Sequence, residues 1–82
     1  MNPEQQYYFD MGVVFGESLF TTHLKGDSLM ASNFTYDHAG IALKNAMKQF
    51  KQILPCQEII QRGIVLGVKT AGVKQPRLRR VK

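Results

Sequence analysis

The chain has 82 residues and a formal charge of +5, with one cysteine and eight aromatic residues. That length makes one small domain, too short to bury more than roughly 60 % of the surface its unfolded form exposes. The single thiol excludes an internal disulfide, so the expected reinforcement is oligomerisation or docking on a partner. Met1-Asn2-Pro3-Glu4 shows neither a basic nor a continuous apolar leader, and no run approaches the ~20 apolar residues of a membrane span. The composition and that one thiol therefore lead us to expect a soluble cytoplasmic protein without a membrane partner.

The first element is expected from about Pro3 to Leu24. Pro3 suits a first helical turn, where its missing N–H would be unpaired anyway, and Glu4 sits at the end favoured by the helix dipole. Tyr8, Met11, Phe15, Leu19 and Thr22 recur at helical spacing, and Tyr7, Val14 and Phe20 widen that face. Lys25-Gly26-Asp27-Ser28 reads as a stop. Leu29 to Phe34 forms a connector whose local structure the pattern leaves open.

A second helix should begin near Thr35, a candidate N-cap with Asp37 in the first turn behind it. Tyr36, Gly40, Leu43, Met47, Phe50 and Leu54 mark its buried stripe, with Lys44, Lys48 and Lys51 on the other side. Pro55 predicts its end. A third element starts around Pro55-Cys56. Residues 57–62 read as helix, while 63–68 fit a helix or a short buried strand, with helix preferred. The expected fold is all-α: a helical hairpin plus a third helix, making a three-helix bundle over residues 1–73, followed by a basic C-terminal arm at 74–82.

Small residues recur four apart at Gly12 and Gly16, at Ala42 and Ala46, and at Gly63, Gly67 and Ala71. Such strips let two helices approach closely. They fit tight packing inside one bundle, and also a groove for self-association.

The charge is segregated along the chain. Residues 1–58 hold four lysines against six acids, and residues 59–82 hold seven basic side chains and no acid. A one-sided positive field draws phosphates or another acidic surface. Within it, Ala71-Gly72-Val73-Lys74-Gln75-Pro76-Arg77-Leu78-Arg79-Arg80-Val81-Lys82 resembles the turn and recognition helix of helix-turn-helix regulators. The resemblance implies a turn at Gly72, inward-facing Val73, Leu78 and Val81, and outward-facing Lys74, Gln75, Arg77, Arg79 and Arg80 able to reach base edges. The same residues, with Lys82, would also serve a tail that contacts phosphates without reading bases. A terminus that is merely solvated, or that docks on an acidic protein, accounts for them equally simply.

All eight aromatics lie from Tyr7 to Phe50 and read mainly as core. Tyr7, Tyr8 and Phe9 cannot all face inward on one helix, so at least one should be exposed, and an exposed aromatic often anchors a partner. His23, His38 and Cys56 lack the paired spacing of a zinc site. Cys56 with His38 is the one conceivable nucleophile–base pair, against the ordinary reading of a half-buried structural cysteine. The six acids show no pairing for acid–base chemistry, so the expectation is no enzyme, no cofactor and no small-molecule substrate.

The first functional expectation is a small regulatory protein. It would associate with nucleic acid through its basic segment, and with a protein or itself through the aromatic-rich hairpin. The alternatives are a compact inhibitor or adaptor, of the kind phages and plasmids use, and a structural subunit of a larger complex.

Overall fold

The computed structural model describes the backbone of residues 1–80 and the side chains of residues 1–73. It is all-helical over the described residues, with α1 at Pro3–Thr22, α2 at Ser28–Ser32, α3 at Tyr36–Phe50 and α4 at Gln57–Arg80.

Each start has a local cause. The Asn2 side chain accepts from the Gln5 amide at 2.8 Å while Gln5 Oε1 accepts from the Asn2 amide, a reciprocal capping box ahead of Pro3. Thr35 and His38 make the corresponding pair at α3, where His38 Nδ1 accepts from the Thr35 amide at 3.0 Å. Asp27 accepts from the amides of Leu29 and Met30 to start α2, which fills part of the connector left open by the sequence. Five residues cannot sustain a helix alone. Packing of Ala31 in the core and a bond from Lys69 Nζ to the Ser32 carbonyl at 3.1 Å tie α2 to α4.

α1 ends two residues before the expected boundary. Lys25 and Gly26 follow with φ of 55° and 74°, the left-handed region that glycine tolerates best. α3 ends at Phe50, earlier than Leu54, because Lys51 turns left-handed at φ 56°. The Gln52 amide then reaches back to the Met47 carbonyl at 2.9 Å. Leu54 still packs on the core from the loop, its amide donating to Met47 Sδ. Residues 63–68 are helical.

The expected hairpin of the first two long helices is not the main packing unit. α4 is the central element, and α1, α2 and α3 each pack on it. The dominant seam joins α1 to α4 through glycine. A Cβ on Gly12 would strike the Ile60 carbonyl, and one on Gly16 the Ile64 carbonyl; on Gly63 and Gly67 it would strike the carbonyls of Phe9 and Val13. Positions rise together on the two helices, so they run parallel with their backbones in contact. Here the close approach serves packing within one chain. Around it lie Phe20, Ile60, Ile64 and Val68, all fully buried, with Ala31 from α2 and Ala39 and Leu43 from α3. Burying each large side chain stabilises the fold by about 1.5–3 kcal/mol.

Candidate nucleic-acid and protein interfaces

The backbone overturns the helix-turn-helix expectation. α4 continues through Ala71, Gly72 and Val73 without a turn. Gly72 is buried inside the helix, where an added Cβ would come within 2.6 Å of the Ala31 Cβ. Its smallness admits α2 and serves no turn. Val73, expected to face inward, is 59 % exposed. The base-reading roles of Gln75 and the arginines lose their frame with the turn.

The backbone of α4 remains helical through Arg80, so Lys74, Gln75, Arg77, Arg79 and Arg80 are carried on the same helix that forms the centre of the domain. Their side chains, and all of Val81 and Lys82, lie outside the described residues.

Of the three aromatics near the start of α1, Tyr7 is 61 % exposed, while Tyr8 and Phe9 are half-buried. Tyr8 packs on the core, and its ring meets that of Tyr7 edge-on with centroids 5.1 Å apart. Tyr7 is therefore the accessible member of the trio.

A larger apolar surface was not legible from the sequence. α1 and α3 diverge around a cleft of about 410 Å³ whose lining includes Phe15, Leu19, Leu24, Phe34, Ile41 and Phe50. Ile41 and Phe50 are 60 % and 68 % exposed. The signal that could have found it is Ile41, an apolar residue that falls off the α3 stripe. His23 and His38 also line this cleft, whereas Cys56 lines a separate depression with Leu54, Pro55 and Gln57. The conceivable Cys56–His38 pair is thus not assembled in one cavity. Among the described residues no group of three His, Cys, Asp or Glu could hold a metal ion. Among the same residues no helix is long and apolar enough to cross a membrane.

No protein-family model, curated protein or solved structure matches this chain. Its functional reading rests on charge and geometry.

Proposed function

We propose that this chain is a small non-catalytic regulatory protein that contacts nucleic-acid phosphates through the C-terminal part of α4 and engages a protein through its aromatic surface. Charge segregation carries the reading. Every basic residue beyond Val73 belongs to a stretch without an acid, and the helical backbone of α4 runs through Arg80. Such an array neutralises phosphates without needing to read bases. Lys74, Arg77, Arg79, Arg80 and Lys82 supply the charge, and Gln75 adds a neutral donor.

Fluorescence anisotropy on labelled duplex DNA and single-stranded RNA tests this. About five phosphate contacts would weaken binding roughly 500-fold over a four-fold rise in salt. Replacing Arg77, Arg79 and Arg80 by Gln should lower the logarithmic salt slope by about 2.7. Absence of binding at low salt would end the nucleic-acid reading.

The second reading is an inhibitor or adaptor, favoured by the apolar cleft between α1 and α3 and by exposed Tyr7. Its basic segment would then lie on an acidic protein. Under it, Tyr7→Ala or Phe50→Ser should impair function more than the three arginine replacements.

A further inference from the structure

Two exposed stripes flank the α1–α4 pair. On α1, Tyr7, Asp10, Val14 and Glu17 follow at spacings of three, four and three. On α4, Arg62, Leu66, Lys69 and Val73 follow at four, three and four. All eight residues are exposed. The apolar members are far from buried, with Tyr7 61 %, Val14 65 %, Leu66 47 % and Val73 59 % accessible. Alternating three- and four-residue steps are the spacing of a helix–helix seam.

The stripes differ in sign. α1 contains Glu4, Asp10 and Glu17 and no lysine or arginine, while the charged members of the α4 stripe are both basic. Within one chain they cannot meet. Gly12 and Gly16 turn one side of α1 to α4, and Gly63 and Gly67 turn one side of α4 to α1. At 100° per residue the α1 stripe centres about 160° from its own glycine face and the α4 stripe about 110° from its own, so neither is turned to the other helix. An acidic-apolar flank and a basic-apolar flank are thus both left exposed on separate helices, neither covering the other.

We propose that copies of this chain associate head to tail, the α1 stripe of one copy seating on the α4 stripe of the next. Val14 and Tyr7 pack against Leu66 and Val73, while Asp10 and Glu17 face Arg62 and Lys69. Lys69 donates one hydrogen bond to the Ser32 carbonyl, and its ammonium has two further protons to give. Each copy offers two different surfaces, so the contact is heterologous. It builds a ring or a helical filament, where a self-complementary patch would stop at a two-fold dimer. This assembly is independent of the nucleic-acid reading, since none of its residues lies beyond Val73.

Sedimentation velocity on the full chain, without nucleic acid, provides the test. The wild type should grow past dimer with concentration and dissociate as salt rises. Asp10→Lys with Glu17→Lys should be monomeric, and so should Arg62→Glu with Lys69→Glu. An equimolar mixture of the two should reassemble, because each reversed stripe then meets its new complement. Should a reversal reduce helicity by circular dichroism, Asp10→Asn with Glu17→Gln and Leu66→Gln with Val73→Thr take its place, each expected to weaken association at least ten-fold. A monomeric wild type overturns the proposal. So does a dimer that grows no further, assembly untouched by these changes, or a mixture that stays monomeric.

Discussion

Gly16 of α1 lies so close to the backbone of Ile64 in α4 that a methyl group added there would collide with the Ile64 carbonyl oxygen. Three further glycines repeat this relationship, so the two longest helices of the molecule touch backbone to backbone. The obstacle is main chain, which cannot rotate aside as a side chain can. Gly16→Ala and Gly67→Ala should therefore each destabilise the fold by about 3 kcal/mol, the upper part of the overpacking range. Urea midpoints at unchanged m-value are the check. Gly40→Ala is the contrast. Its Cβ would meet only the flexible end of Gln61. The gain of about 1 kcal/mol in helix propensity offsets that adjustment, and stability should change by less than about 0.5 kcal/mol.

Lys51 ends α3 in a left-handed conformation that an L-residue adopts at a cost of about 1 kcal/mol. Lys51→Gly should raise stability by about that amount, visible as a higher thermal midpoint. No stabilisation would mean that the lysine stem has a packing role.

The α3 start depends on Thr35. Thr35→Ala removes the acceptor for the His38 amide and should destabilise by about 1 kcal/mol. His38→Gln keeps an acceptor at the third helical position and should stay within about 0.5 kcal/mol of wild type, since Gln is a regular partner in this box. Equilibrium denaturation of both variants compares the two halves of the cap.

Ile64 is fully buried beside the glycine seam. Ile64→Ala should destabilise by about 2–5 kcal/mol, through lost transfer energy and the cavity left behind. Ile53 is 91 % exposed, so Ile53→Ser should leave the denaturation midpoint unchanged.

The helix boundaries were largely legible, because they depend on neighbours in sequence. Thr35, the Lys25–Gly26 stop and Pro3 each act within one turn. The partner of α1 was not, since a periodic stripe shows that a helix has a buried face without saying what covers it. The stripe of Tyr8, Met11, Phe15 and Leu19 also misplaces that face by about a quarter turn. Gly12 and Gly16 are buried with Leu19 and Phe20, and glycine contributes burial through its main chain, to which hydropathy is blind. Gly72 misled for a related reason. Glycine before a polar run reads as a turn, yet this one clears room for Ala31. Of the candidate site, exposure of one aromatic among Tyr7, Tyr8 and Phe9 followed from helical geometry alone. The α1–α3 cleft depended on how α3 sits on α4 and left little trace in the periodicity.

The glycine seam also governs when the molecule can fold. It joins Gly12 to Ile60 and Gly16 to Ile64, pairs 48 positions apart, whereas helical proteins ordinarily rely on local contacts. Closing so long a loop delays the rewarding contact, and a high contact order slows the search. A growing polypeptide would hold α1 without its mate until α4 had left the ribosome, its bare glycine face and Phe20 open to water. Refolding should accordingly be slow for an all-helical chain of this size, with the collision of α1 and α4 as the rate-limiting event.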